Sequence, residues 1–279
     1  MHWLGRFIAG VRDRFAGEQR TSPPDQKPFF SAASKDYAAM RRAIAEQGCF
    51  VLRGLFDPRV IARLRERADR LARTLDDRIA RDDVEGFEDF VASEAFRAGH
   101  LPETQIGPEK MWSDLTIGTP FDKIAKKVFG RRSRDFALRR SVLSGKQNPL
   151  AFHQDGFFMG AAPSFNFWTP LQDVVIDAPG LEVVIASGSP LIRNVASAAR
   201  VAPYVERTYG RQSYWSPMLM AGDALVFNSM MFHRTQSSEQ MSKIRYSLEL
   251  RGPIKDRSLS IAGVPRNWNE IETLQEAPA

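Results

Sequence analysis

The sequence predicts a mainly β protein, an antiparallel β core with helices packed outside it. Two patterns carry that expectation: helical periodicity runs through the first half of the chain, and short apolar stretches bounded by Gly, Pro, Asp and Asn fill the second. With 279 residues, 43% hydrophobic and 26% charged, the chain can bury the core such a fold needs and has an ordinary globular composition.

Residues 1–20 place Trp3, Leu4, Phe7, Ile8, Val11 and Phe15 near one face of a helix, among Arg6, Arg12, Arg14 and Arg20. No continuous apolar stretch or small-residue cleavage site marks a secretory signal. The segment reads either as a surface anchor making peripheral membrane contact or as a helix packed on the domain. Residues 21–27, with Pro23 and Pro24, read as a linker. The expected organisation is therefore an N-terminal segment and linker, 1–27, followed by one domain, 28–279.

Ser34 is placed to cap a helix ending at Gln47, with Gly48 as its stop. A buried strand, 49–55, follows. Asp57-Pro58 then starts a second helix, pairing a capping carboxylate with a proline whose missing N–H costs nothing at the first position. Val60, Leu64, Ala68, Leu71, Leu75 and Ile79 make its apolar stripe, and its arginines alternate with Glu66, Asp69, Asp76 and Asp77, as on a solvated, ion-paired face. The stretch 84–124 is mixed and is expected to form short helices and a flexible flank of the active site. Strands are expected at 136–144, 164–172, 181–186, 214–219, 224–228 and 244–250, with a surface tail after Arg251.

Cys49 is the single cysteine, which excludes an intramolecular disulfide framework and a multi-thiolate zinc site. It reads as a small buried hydrophobe in a reducing compartment, and a cytoplasmic protein is expected. No apolar run reaches the roughly 18 residues of a membrane span. The net charge of +6 is compatible with nucleic acid, an anionic membrane surface or an anionic small substrate and selects none. No basic stripe interleaved with aromatics crosses the β half, so no nucleic-acid partner is expected. Arg131, Arg132, Arg134, Arg139 and Arg140, with Lys146 nearby, are either a solvated basic turn or a seat for an anionic substrate.

There are four histidines, so each is informative. His153 and Asp155 stand two apart, the spacing that puts side chains on one side of an extended segment; they form either a metal-binding pair or a hydrogen-bonded surface pair. His233 follows the apolar strand 224–228 and is either a satisfied core histidine or a third ligand. Together, two imidazoles and one carboxylate make the donor set of a non-haem Fe(II) centre with open positions. Arg245 and Ser247 share one face of the last strand, where a buried guanidinium needs an anionic partner. That partner is a bound carboxylate or a structural salt bridge. Trp168 and Asn166, two apart on one strand, either line the same cavity or pack in the core. His100 and His2 lie outside these motifs.

The chain resembles the phytanoyl-CoA dioxygenase-like family of Fe(II)/2-oxoglutarate oxygenases from about Cys49 to Arg251. The resemblance rests on 48–58 (GCFVLRGLFDP), His153-Gln154-Asp155, 167–173 (FWTPLQD), 178–182 (APGLE), 222–227 (GDALVF) leading to His233, and Arg245-x-Ser247. It implies a double-stranded β-helix, a jelly-roll or cupin-like core with the N-terminal helices outside. It also implies Fe(II) held by His153, Asp155 and His233, with 2-oxoglutarate as cosubstrate alongside O2. Arg245 would grip the distal carboxylate, helped by Thr235 or Ser247, and Trp168 would line the site. The implied reaction hydroxylates a C–H bond of a small or lipid-like substrate, which can be anionic, and releases succinate and CO2. Phe157, Phe158 and Met159 suggest an apolar element in that pocket. Asp155 occupies the position that halogenating relatives leave to chloride, which favours hydroxylation. The alternatives are a metal-binding cupin that does not use 2-oxoglutarate and a non-enzymatic basic binding protein.

Overall fold

Helices cover one face of a large sheet, and a smaller sheet covers part of the other. The computed structural model describes residues 27–97, 99–102, 107, 109–130, 135–141, 150–157, 164–185, 187, 192–193, 198–254 and 272–273. The expected amphipathic segment 1–20, most of its linker, Arg131, Arg132, Arg134, Lys146, Phe158, Met159 and most of the tail lie outside the described residues.

In chain order the helices are α1 (Tyr37–Gln47), α2 (Pro58–Ala80), α3 (Glu88–Ala92), α4 (Glu94–Arg97), α5 (Glu109–Thr116), α6 (Pro120–Phe129) and α7 (Ala198–Tyr209). The strands are β1 (Phe29–Ser31), β2 (Cys49–Arg53), β3 (His100–Leu101), β4 (Asp135–Ser141), β5 (Ser164–Pro170), β6 (Gly180–Val184), β7 (Ile192–Arg193), β8 (Tyr214–Trp215), β9 (Ala224–Asn228), β10 (His233–Gln236), β11 (Arg245–Pro253) and β12 (Glu272–Thr273). The large sheet has the order β1-β2-β9-β5-β11-β4-β3 and the small one β10-β6-β8, while β7 pairs with β12. Non-sequential neighbours joined antiparallel, as in β2-β9-β5-β11-β4, make the jelly-roll core.

The strands of the large sheet read as nearly continuous apolar runs because both faces are covered. On β2, Phe50 and Leu52 pack toward the helices while Cys49 and Val51 pack toward the small sheet. The same alternation separates Phe165 and Phe167 from Trp168, and Val226 from Leu225 and Phe227. The helix-side layer is aromatic: Phe129 stacks on Phe165 at 4.4 Å, and Phe121 meets Phe167 edge-on at 4.8 Å. Two polar contacts fix α2 to the sheet. Arg140 donates two hydrogen bonds to Asp76 at 2.6 and 2.7 Å, and the Tyr246 hydroxyl donates to Asp69 at 3.0 Å.

Local signals set several boundaries. Asp57 accepts a hydrogen bond from the Arg59 N–H with Pro58 at the first helical position, and Gly48 ends α1 in the left-handed conformation, its N–H donating to Ala43 and Ile44. At the turn into β9, Gly222 has φ +89°, and a Cβ there would meet the Phe56 carbonyl oxygen at 2.7 Å. The next residue, Asp223, accepts from the Gly54 and Met220 N–H groups and pairs with Arg53 at 2.5 Å.

Some expectations need correcting. Asp36, not Ser34, caps α1, because its carboxylate reaches the Ala39 N–H. The buried stripe of α2 is Ile61, Leu64, Ala68, Ala72 and Leu75; Val60 and Leu71 are only partly buried and Ile79 is exposed, because the helix rotates its narrow alanine side onto the sheet. The 84–124 stretch forms short helices as expected, but Trp112, Leu115, Phe121 and Ile124 of it pack in the helix-side core and not at the active site. Strand ends differ from expectation by a few residues: β8 stops at Trp215 and β11 extends to Pro253.

Phe167 lies at the centre of the aromatic layer and next to two residues of the site. Phe167→Ala should cost about 3–5 kcal/mol of stability, measured by denaturant unfolding. A loss below about 1 kcal/mol would contradict this packing account.

Candidate metal centre

The site is built on one antiparallel bridge. The His153 N–H donates to the His233 carbonyl and the His233 N–H donates to the His153 carbonyl, both at 3.0 Å. This reciprocal pair brings a loop residue and the first residue of β10 side by side, with imidazole centroids 4.1 Å apart. Further bonds tie the loop down: Gln154 Nε2 donates to the Met230 carbonyl at 2.7 Å, and the Gly156 N–H to the Ser229 carbonyl at 2.8 Å. Asp155 opens a 3-10 turn, Asp155–Phe157, so its carboxylate reaches the histidines by a turn and not by the expected extended spacing.

Both histidines use Nδ1 on backbone carbonyls, His153 on Ala151 at 2.8 Å and His233 on Met231 at 3.0 Å. A carbonyl can only accept, so each Nδ1 carries a proton and Nε2 is the nitrogen turned toward the site. The two Nε2 atoms converge on Asp155 Oδ1, at 3.7 Å from His153 and 3.5 Å from His233. One ligand atom from each of the three residues lies within 4.8 Å of the others, and all three are buried. Burial, with His233 alongside, lowers the His153 pKa to about 3, which keeps that ring neutral at ordinary pH. Burial works against the Asp155 charge, but His233 and Arg251 outweigh it and hold the carboxyl well below its ordinary range. Two imidazoles and an ionised carboxylate aimed at one point suit a divalent metal.

The Asp155 carboxylate is itself held. Asn166 Nδ2 donates to Asp155 Oδ2 at 3.0 Å, and Arg251 Nη2 lies 4.0 Å from the same oxygen. Oδ2 is thereby occupied, and Oδ1 faces the histidines. The structure places Trp168, Asn166, Thr235 and Arg245 around the same cavity as the three donors. Arg245 is buried, with Nη1 donating to Ser247 Oγ at 2.5 Å and its guanidinium 5.2 Å from the Trp168 ring centre. Its Nε has no hydrogen-bond partner among the described residues, and burial lowers its pKa to about 10. Ser247 touches Arg245 and is fully buried beneath it.

Glu249 and Arg251, which no sequence motif marks, also line the cavity. Arg139 and Arg140 of the basic cluster separate: Arg139 pairs with Glu249 at 3.0 Å on the cavity side, while the Arg140 guanidinium is held by Asp76 on the helix side. The alternation Arg245, Ser247, Glu249, Arg251 along one strand was the available signal. His100 was set aside in the sequence, yet β3 pairs it with Arg139 at the edge of the large sheet. Burial, followed by the Arg139 charge, lowers its pKa to about 4.

A jelly roll with two histidines and one aspartate converging beside a buried arginine has the architecture of a mononuclear non-haem metal centre. The sequence profile of the phytanoyl-CoA dioxygenase (PhyH) family matches residues 44–244, well over half of the chain, and the chain belongs to that family. No curated protein matches it in sequence. Among solved structures it is similar to AviO1 from Streptomyces viridochromogenes Tue57, with 17% identity, a TM-score of 0.54, and coverage of 84% of this chain and 99% of that one. It is also similar to SnoN, the non-heme alpha ketoglutarate dependent epimerase from nogalamycin biosynthesis, in complex with Fe3+, alpha ketoglutarate and nogalamycin RO. There the identity is 16%, the TM-score 0.56, and the coverage 83% and 92%. EvdO2 from Micromonospora carbonacea var. aurantiaca, complexed with 2-oxoglutarate, gives 16%, 0.53, and 78% and 93%. At these identities the likeness is one of fold.

Two outcomes follow from this geometry. Asn166→Ala should weaken Co(II) or Zn(II) binding by about 10–100-fold with little change in melting temperature. Unchanged metal affinity would show that Asp155 needs no such support. For His100, the unfolded chain takes up a proton near 6.5 and the folded chain only near 4. Stability is therefore full above 6.5 and falls as the pH drops toward 4, by up to about 1.4 kcal/mol per pH unit. His100→Gln should flatten the stability profile in that window, and an unaltered profile would contradict the burial of this ring.

Proposed function

We propose that the protein is an Fe(II)- and 2-oxoglutarate-dependent dioxygenase that hydroxylates a C–H bond of a small-molecule substrate and releases succinate and CO2. The observation that carries this reading is Arg245. It is a buried guanidinium in the same cavity as the His-Asp-His donors and, among the described residues, meets no carboxylate at ion-pair distance. A buried cation of this kind is stable only with an anion, and a cosubstrate with a distal carboxylate supplies one.

His153, Asp155 and His233 would hold the iron. When bound, iron would activate dioxygen, the oxidant, whose four-electron reduction takes two electrons from 2-oxoglutarate and two from the substrate C–H bond. The chain's own side chains set the geometry. Ser247 and the Trp168 ring hold the Arg245 guanidinium from two sides, presenting its free edge to a carboxylate, and Thr235 adds a hydroxyl on the cavity wall. Asp155 fills the position that a halide would need, which favours hydroxylation over halogenation. Family membership supports the reading, as do the iron and alpha ketoglutarate of the SnoN complex and the 2-oxoglutarate of the EvdO2 complex. Since SnoN is an epimerase, product mass separates the two outcomes of C–H cleavage: hydroxylation adds an oxygen atom and epimerisation adds nothing. The cytoplasm is the proposed compartment, on the single free Cys49; no described helix is long and apolar enough to cross a membrane.

Anaerobic calorimetry tests the assignments. His233→Ala should abolish tight Fe(II) binding. Arg245→Ala should retain the metal but bind 2-oxoglutarate about ten- to a hundredfold more weakly, the loss of a charge-assisted hydrogen bond of about 1.5–3 kcal/mol. Normal cosubstrate binding by Arg245→Ala would refute its role.

A further inference from the structure

The inner face of the large sheet is divided. Among the described residues, the apolar layer between the two sheets draws its side chains from β2, β5, β6, β8, β9 and the segments next to them, and none from β4 or β11. On those two strands the inward positions are Asp135, Arg139, Ser141, Arg245, Ser247, Glu249 and Arg251, all polar, with Ala137 as the exception; Asp135 stands opposite Arg251 at the exposed strand end. The metal donors and Arg245 sit beside this polar wall. Apolar packing would serve stability at least as well as buried charges, so the wall is best explained by what it binds.

Arg139 is the group on it with capacity to spare. Its Nε lies 3.0 Å from Glu249 Oε1 but outside hydrogen-bond geometry, and the guanidinium makes no hydrogen bond with any described residue. Glu249 is itself shared, since Arg251 pairs with its other oxygen. Loading the proposed cofactors does not relieve this, because Fe(II) and the 2-oxoglutarate dianion bring opposite and equal charges. A planar guanidinium with uncommitted N–H groups presents them as a fork, which matches an oxyanion.

We infer that the substrate oxidised at this centre carries an anionic oxygen group, a carboxylate or a phosphate, that docks on Arg139, beside Glu249. This inference rests on the proposed oxygenase function and names the substrate class for that site. Of the described members of the basic cluster, Arg139 takes this role and Arg140 does not, since Arg140 is committed to Asp76 on the far face.

The test is calorimetry under anaerobic conditions on protein loaded with Fe(II) and saturating 2-oxoglutarate. The probes are benzoate, phenyl phosphate and the neutral benzamide, titrated at fixed ionic strength. At least one anion should bind about tenfold or more tightly than benzamide, and the tighter of the two identifies the source as carboxylate or phosphate. Arg139→Gln should abolish that preference while changing 2-oxoglutarate affinity by less than about threefold, and Glu249→Gln should strengthen it. Arg139→Lys keeps the charge without the fork; it should retain part of the preference and serves if the glutamine variant does not fold. Equal binding of all three probes, or a preference that survives Arg139→Gln, overturns the inference. So does a large loss of 2-oxoglutarate binding in Arg139→Gln, which would give Arg139 to the cosubstrate. If the wild-type protein fails to bind 2-oxoglutarate at all, the oxygenase reading fails first.

Discussion

The centre depends on the two backbone hydrogen bonds exchanged by His153 and His233. They join a loop that follows β4 to the start of β10, and no side chain could replace them. Once the backbones are paired, each Nδ1 finds a carbonyl two residues away, and both Nε2 atoms face Asp155 Oδ1. The ring tautomers are therefore set by the fold before any ligand is present. Such preorganisation matters because each donor is buried, and a misplaced ionisable group there would carry its full desolvation cost.

The rest of the molecule can be seen as support for that bridge. The helices cover the outer face of the large sheet with an aromatic layer that runs from Phe129 through Phe165 to Phe167. This holds β5 so that Asn166 and Trp168 project inward. Asn166 then holds the second oxygen of Asp155, and Trp168 holds Arg245. One strand thus serves stability with its odd-numbered phenylalanines and the site with the even-numbered residues between them, a direct consequence of the two-residue period of a strand.

Much of this was legible in the sequence. The strand 224–228, the Asp57-Pro58 helix start and the Gly48 stop follow from local rules and match the structure. The resemblance to a known family points to His153, Asp155, His233, Arg245, Thr235 and Trp168, which the structure brings around one cavity, and to Ser247, which contacts Arg245. What local rules missed has a common cause in tertiary context. The α2 stripe was misassigned because a helix can turn alanines toward a sheet as well as larger residues. Arg139 and Arg140 looked like one cluster, and only the strand pleat sends them to opposite faces. His100 had no motif of its own and became informative only through its pairing with Arg139 across β3 and β4. Glu249 and Arg251 continue the alternation of Arg245 and Ser247 along the last strand, a signal the sequence itself carries.

The central claim is that a metal at His153, Asp155 and His233 and a carboxylate at Arg245 can be bridged by one 2-oxoglutarate molecule. The most direct measurement is an anaerobic titration of the Fe(II)-loaded protein with 2-oxoglutarate, following the weak visible charge-transfer band of the iron–keto acid chelate. The account requires a band that saturates with one equivalent of 2-oxoglutarate and is absent in His233→Ala. Iron binding without such a band would contradict it and would make the protein a metal-binding jelly roll that does not use 2-oxoglutarate.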